Sequence, residues 1–389
     1  FYAMTTVDTF DNITTGSGRA LVFDGRNQYA RVDRDVASSF TLEAWIRTGV
    51  TGMGGPTTAF NAGMPIIYAD VINYHYDFGT SVIAGDFVFG VGDGTPTDQS
   101  IHSTTKVNTN QWTHVAAVRE GSSGVIRVLV NGVEEASLAT GYTTPLSDPP
   151  DIKIGGNTID HRYFEGLMDE VRIWNVARTE AQIQETMCRR LNGSEGGLVG
   201  LWRFDGSSAT SAFDSSASAN HAILHNMTTP NRLWSAVPLG EASLSAYPPA
   251  GPMLLSHPDG DSAQLNGIGG TPDGVHLYRV DGPPNLQAPS VDFTAIDQAR
   301  HWGVWVVAGG GITYDVTLSY AGHPGIVSED LLGIDTRWDN ATAAWWNGAA
   351  VLDTAADTLV LSGESGRSQY ILATNGGGVP VTLQCFSVD

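Results

Sequence analysis

The chain has 389 residues, long enough for two or three domains with sizeable cores. Its 20 basic and 41 acidic residues leave a net charge of -21, which repels nucleic acid and anionic lipid surfaces and excludes them as natural partners. No run approaches the roughly 18 apolar residues a membrane-spanning helix needs, and 46 glycines among short apolar runs point to an all-β protein rich in turns.

Residues 1–18 open with Phe1, Tyr2, Met4, Val7 and Phe10, an apolar, β-prone stretch. It reads either as an edge strand of its own sandwich or as an arm that pairs with the open edge of another copy. No charged-then-apolar leader is present, so any signal peptide is expected to have been removed already. Strands are predicted at Ala20–Phe23, closed by the turn pair Asp24-Gly25, and at Tyr29–Asp33 and Phe40–Ile46. Gly49–Ala62 is rich in Gly, Thr and Pro and reads as a long loop. Further strands follow at Phe87–Val91, Gln111–Val118 and Val125–Val130. Asn131-Gly132 turns the last of these into a hairpin with Val133-Glu134-Glu135. Ile152–Ile154 comes next.

Gly166–Arg178 is the stretch that organises the first domain. With a period of two, Leu167, Asp169, Val171 and Ile173 share one face, and Met168, Glu170, Arg172 and Trp174 share the other. One aspartate on an apolar row is costly unless it is paired or bound to a cation. Thr179–Leu191 reads as the one helix, capped by Thr179, with Ile183 and Met187 four apart and Arg189 and Arg190 in its last turn. Leu198–Phe204 returns to the sheet. Residues 238–251 read as a linker, and 252–389 as a second β domain with strands at Trp302–Val307, Tyr314–Tyr320 and Leu359–Leu361. Gly309-Gly310-Gly311 is expected to be a turn between strands.

Four segments in order resemble the laminin-G-like, concanavalin-type (pentraxin-like) jelly roll. They are Ala20–Gly25, Phe40–Ile46, Trp112–Ala116 with Val128–Gly132, and Gly166–Arg178 with the helix after it. The resemblance covers about Gly18–Trp234 and implies an all-β fold. That fold is a concanavalin A-like jelly-roll sandwich over 19–237 with one short helix, joined to a second, smaller β-sandwich. The segment His257-Pro258-Asp259-Gly260-Asp261, with Tyr278–Asp281 and Tyr314–Thr317, resembles a module that follows laminin-G domains in Bacteroidetes surface proteins exported by type IX secretion.

The first resemblance also implies one Ca²⁺ held by Asp24 and Asp169, with Asn27 and the Tyr29 carbonyl as weaker donors. One or two carboxylates with carbonyls and water can complete a hard-oxygen shell. The rival reading has Asp24 capping a turn and Asp169 accepting backbone hydrogen bonds. Asp70, Asp77 and Asp86 could build a second acidic site.

Other constellations read as ordinary structure. Glycosidases on this fold place acids at alternate positions of one strand, whereas Asp169 and Glu170 are adjacent and expected on opposite faces. His221 and His225 lack the glutamate of a zinc-protease helix. Gly267, Gly269 and Gly270 match a phosphate loop only loosely. Trp338, Trp345 and Trp346 read as buried packing or as a sugar-stacking platform. Cys188 and Cys385 are left open between one disulfide and two buried thiols. Sequons occur at Asn12, Asn192, Asn226 and Asn340.

The sequence thus reads as a secreted or cell-surface, non-enzymatic protein. Its expected partner is a glycan or a cell-surface protein, bound by loops such as Gly49–Asn73. The alternative is a filament subunit whose partner is its own copy, and a glycoside hydrolase ranks third.

Overall fold

The computed structural model describes residues 15–52, 59–73, 75–96, 98–228, 231–323, 326, 328–342 and 344–375. The N-terminal arm residues Phe1, Tyr2, Met4, Val7 and Phe10, and Cys385, lie outside these. The chain divides into two compact units: one takes in Gly18–Met187 and Leu191–Ser235, the other 15–17, Cys188–Arg190 and 236–375.

In chain order the first unit begins with β1 (Arg19–Asp24), β2 (Tyr29–Asp33), β3 (Phe40–Arg47), a 3₁₀ turn (Phe60–Ala62), β4 (Met64–Ala69), β5 (Phe78–Ile83) and β6 (Asp86–Val91). It continues with β7 (Gln99–Lys106), β8 (Thr113–Glu120), β9 (Val125–Val130), β10 (Val133–Ala139), β11 (Asp151–Ile154), β12 (Gly156–Asn157), β13 (Arg162–Tyr163) and β14 (Glu165–Trp174). Helix α1 (Glu180–Thr186), β15 (Leu198–Trp202), β16 (Ser211–Ala212), β17 (Ala222–His225) and β18 (Arg232–Trp234) complete it.

Two eight-stranded antiparallel sheets face each other. The first runs β10-β9-β8-β3-β14-β1-β18 with β15 beside β14, and the second runs β16-β17-β2-β11-β4-β5-β6-β7. Between them lies a core that includes Leu21, Phe40, Ile46, Phe89, Val128, Val171 and Trp202. Asn131 and Gly132 both take positive φ (50° and 80°), so the expected hairpin turn forms and pairs Val133 with Val130.

Strand β14 departs from simple alternation. It pairs with β1 as far as Met168↔Leu21 and with β15 only from Val171↔Trp202. At the hand-over the register against β3 shifts between Asp169 and Arg172, and Glu170 takes φ +47°. This is a β-bulge, which adds a residue and resets which face each side chain meets. Met168 therefore joins Val171 and Ile173 in the core between the sheets, while Leu167 is only half-buried. The period-of-two reading of this strand is corrected accordingly. So is the expectation that adjacency puts Asp169 and Glu170 on opposite faces, because a bulge breaks the alternation that argument needs.

Thr179 caps α1 with a full capping box: its hydroxyl accepts from Gln182 N–H, and the Gln182 side chain accepts from Thr179 N–H. The helix ends at Thr186, earlier than expected, so Arg189 and Arg190 lie beyond it. Arg189 instead forms a parallel bridge with Gly240. Ile183 is buried against Ala116, Val118 and Leu129 on the outer face of the first sheet.

The second unit is one ten-stranded sheet. Its strands are β19 (Ala242–Ala246), β20 (Met253–Ser256), β21 (Ser262–Val280), β22 (Ala295–Ile296), β23 (His301–Ser319), β24 (Leu332–Arg337), β25 (Trp346–Asn347), β26 (Val351–Asp353), β27 (Thr358–Glu364) and β28 (Ser368–Thr374). Ala242–Ala246, expected in a linker, pairs with Val275–Arg279 of β21. The nineteen-residue strands β21 and β23 carry opposed glycine clusters at mid-length, with two register shifts there. Gly267, Gly270, Gly309 and Gly311 all take positive φ, which only glycine adopts without strain. The sheet bends at this point. Its two halves share one core, in which Leu265, Val316 and Leu361 from one half meet Leu277, Val304 and Tyr370 from the other. Gly309–Gly311 is thus a bend inside a strand rather than a turn between strands, and Gly267–Gly270 is its partner rather than a phosphate loop.

Candidate ligand-binding face

The expected Ca²⁺ shell does not assemble. Asp24 ends β1 opposite Glu165, is exposed, and uses Oδ1 to accept the Arg26 N–H at 2.9 Å. Asp169 lies four positions further along β14, about 13 Å away at the usual rise per residue. It is fully buried. Its Oδ2 accepts the Ser235 hydroxyl at 2.5 Å and its Oδ1 the Glu170 N–H at 2.7 Å. The Asn27 carbonyl accepts from Asn226 Nδ2 at 2.8 Å, and Tyr29 belongs to the other sheet. Among the described residues no three His, Cys, Asp or Glu side chains gather as a metal shell. Burial, with Glu170 and Asp205 nearby, holds the Asp169 carboxyl well above the ordinary range.

Beside it, under α1, lies a buried charge network. Glu43 pairs with Arg178 at 2.6 Å and sits 3.3 Å from His114 Nε2. Burial pushes Glu43 up, but Arg178, His114 and Arg172 outweigh it and leave the carboxyl at about 2. Glu170 pairs with Arg172 at 2.7 Å. Asp169, Glu170 and Glu43 are all closed to solvent, so none can reach a sugar bond.

The open surface of the first unit that carries chemistry is the outer face of the second sheet. Its pairing aligns Ile223 of β17, Arg31 of β2, Lys153 of β11, Tyr68 of β4, Gly79 of β5, Gly90 of β6 and Ser100 of β7 in one row. A Cβ on Gly79 would stand 2.6 Å from the Tyr68 ring, and one on Gly90 would stand 2.3 Å from the Phe60 ring. These two glycines therefore leave room for Phe60 and Tyr68 to lie flat on the sheet, where they pack with Ile83 and Val88. Phe60 covers the β5–β6 half. On the β17–β2–β11 half, Tyr29, Arg31, Lys153 and His225 are half-buried.

On this half, Tyr29 stacks on His225 with ring centroids 4.4 Å apart and planes 8° from parallel. Tyr163 lies 6.4 Å from Tyr29. Next to these rings, Lys153 pairs with Asp151 at 2.7 Å, and Arg31 lies 3.8 Å from the same carboxylate. All five side chains besides His225 are half-buried, as is His225 itself, so each presents some surface to solvent. Burial, Tyr163 and Asp151 raise the Tyr29 phenol, which stays a neutral donor. Burial also lowers His225, and its buried Nε2 has no hydrogen-bond partner among the described residues. The arrangement is a Tyr29–His225 stack with Tyr163 tilted beside it, edged by a carboxylate, an ammonium and a guanidinium.

An acidic group lies beside the middle of the row, where β4 ends and β5 begins. Tyr68 donates to Asp70 Oδ2 at 3.0 Å. Asp77 is buried, and burial with its hydrogen bond and repulsion from Asp70 hold it well above the ordinary carboxylate range. Asp98 is raised too, by burial and by Asp70 and Asp93. Of the expected acidic trio, Asp70 and Asp77 meet, but Asp86 is elsewhere, paired with Lys106 at 2.5 Å. His221 and His225 do not cooperate: His221 stacks on Phe213 and its Nδ1 accepts from Asp214 N–H. The grouping of Tyr29, Tyr163 and His225 was not singled out as a site from sequence. The alternating Tyr29-Ala30-Arg31-Val32-Asp33 held the only hint, with aromatic and charged residues on the non-core face.

Residues 24–184 match the laminin G family model described as the concanavalin A-like lectin/glucanases superfamily. Human pappalysin-1 is 27% identical over 196 residues, which is 43% of this chain and only 11% of that protein. A Bacteroides ovatus protein described as a candidate carbohydrate binding protein is 23% identical, with a TM-score of 0.44, covering 58% of this chain and 62% of its own. A heptameric SAP-like pentraxin from Limulus polyphemus is 17% identical, with a TM-score of 0.34, covering 43% of this chain and 81% of its own. The first unit of this chain is accordingly a laminin-G-like jelly roll of the concanavalin A-like superfamily.

Proposed function

We propose that this is a non-enzymatic, extracellular glycan-binding protein whose laminin-G-like unit captures saccharide on the half-buried β17–β2–β11 face. The observation that carries this is the Tyr29–His225 stack beside Tyr163, Arg31, Lys153 and Asp151. Flat rings offer apolar area at low entropic cost to the C–H face of a sugar. The charged and phenolic groups around them can exchange hydrogen bonds with its hydroxyls. The lectin and glucanase naming of the matched superfamily supports the ligand class. A hydrolytic role is disfavoured because the acids on β14 are fully buried, Asp169 against Ser235 and Glu170 against Arg172, rather than facing a cleft. The second unit is proposed to be a module of a larger surface protein, on its sequence resemblance to such modules.

The test is capture of the full chain on a printed array of plant, microbial and animal glycans. Tyr29→Ala and His225→Ala should each weaken the strongest signals at least about fivefold, the worth of one good aromatic contact. Asp24→Ala, at the far end of β1, should leave them unchanged. Signals indifferent to both platform substitutions would sink this reading.

A further inference from the structure

Three tryptophans cluster near the end of β24 in the second unit, and they divide into two kinds. Trp345 is buried, and its indole N–H donates to Leu286 O at 2.9 Å. Trp338 and Trp346 are exposed, at 60% and 37%, and touch each other with centroids 5.4 Å apart and planes at 56°. Two indoles left in water beside a buried third are a specific departure from ordinary packing.

Their frame is rigid. The Arg337 guanidinium, which precedes Trp338, lies 4.2 Å over the Trp345 ring. It donates to Gln369 Oε1 and Asn285 Oδ1 at 2.7 Å and to Asn340 Oδ1 at 2.9 Å. Asp339 Oδ1 accepts from Ala341 N–H and the Thr342 hydroxyl, fixing the turn that follows Trp338. Among the described residues, Asp339 Oδ2 takes no hydrogen bond. The register Thr336↔Trp346 holds the second indole beside β24.

Two features select the occupant. Fully buried indoles cover up to about 250 Å² each, so this pair leaves roughly 240 Å² open, far below the roughly 800 Å² per partner of a stable protein interface. The indole pair by itself offers too little area to hold a second copy or a folded protein, whereas it suits one or two pyranose rings. The rim carries Asp339 and sits on a chain of net charge -21, which disfavours anionic sugars. We infer that Trp338 and Trp346 form a second saccharide site, distinct from the face on the first unit, that stacks a neutral pyranose glycan with Asp339 accepting from its hydroxyls.

The experiment uses the full chain in native gels cast with a β-glucan, a xylan, a galactomannan or polygalacturonate. At least one neutral polymer should retard the protein, and Trp338→Ala or Trp346→Ala should reduce that retardation at least about fivefold. The same retardation should survive in the Tyr29→Ala, His225→Ala double variant, which separates this site from the one proposed on the first unit. A second readout is oxidation by N-bromosuccinimide mapped by mass spectrometry. The retarding polymer, as short oligosaccharides, should protect Trp338 and Trp346 but not Trp234, whose exposure is 46%. The inference is overturned if no neutral polymer retards the protein. It is also overturned if the tryptophan variants migrate as the parent does, if only polygalacturonate responds, or if sedimentation shows a dimer that the two substitutions dissolve.

Discussion

At the scale of single residues, the buried acids of the first unit show how one chemical type meets three fates. Arg178 and His114 hold the Glu43 carboxyl down against burial, Arg172 pairs with Glu170, and burial with Glu170 and Asp205 nearby holds Asp169 up. Glu43 and Arg178 form the pair most exposed to mutation. Arg178→Ala removes the 2.6 Å partner of a carboxylate with no solvent access and frees the Gln182 carbonyl and Thr186 hydroxyl that it also binds. Removing one partner of a buried pair costs about 3–5 kcal/mol, which urea denaturation at pH 7 should register. The double variant Glu43→Gln, Arg178→Met should lose less than the single one, since it leaves no lone charge. The pH dependence has a definite sign: the carboxyl is depressed to about 2, so its contribution is present above the ordinary glutamate range and fades as pH falls toward that value. In Arg178→Ala this acid-side loss should shrink.

At the scale of elements, local signals predicted what forms better than they predicted where faces point. The Asn131-Gly132 hairpin and the Thr179 cap follow from short-range chemistry, and both appear as expected. The faces of β14 do not, because its bulge arises where β1 gives way to β15, a meeting of segments remote in sequence. A comparable long-range device joins three connections of the second unit. Arg300 pairs with Asp259 at 2.7 Å and Asp261 at 2.8 Å, and His323 Nε2 lies 3.0 Å from Asp297 and 3.9 Å from Asp261. His257 pairs with Asp259 from the rim. For His323, burial pulls downward, but Asp297 and Asp261 outweigh burial and Arg300, so the imidazole is raised. A raised histidine contributes stability that is full below the ordinary histidine range and is lost as pH rises through the raised value. The melting temperature of the second unit should therefore fall as pH rises above the ordinary histidine range, and His323→Gln should flatten that slope. An unchanged slope in the variant would mean that the staple does not respond to protons.

At the scale of the whole molecule, the net charge of -21 imposes a self-repulsion that no single pair relieves. Because the Debye length shrinks from about 30 Å at 10 mM salt to under 10 Å above 0.15 M, sodium chloride up to about 0.5 M should raise the melting temperature. A fall would show that surface ion pairs outweigh the repulsion. The same accumulation of charge is why both proposed sites are read as taking saccharides rather than nucleic acid or anionic lipid. By itself the sequence determined the all-β class, the jelly-roll identity of the first unit, the hairpin and the helix cap, because these rest on periodicity, turn chemistry and contacts within a few residues. Only the tertiary structure decided that Asp24 and Asp169 stand apart, that Tyr29 meets His225 from almost two hundred residues away, and that Trp345 is buried while its neighbours are not. Those outcomes depend on strand register, where a one-residue bulge exchanges inside for outside, and register is set by pairing across the whole sheet.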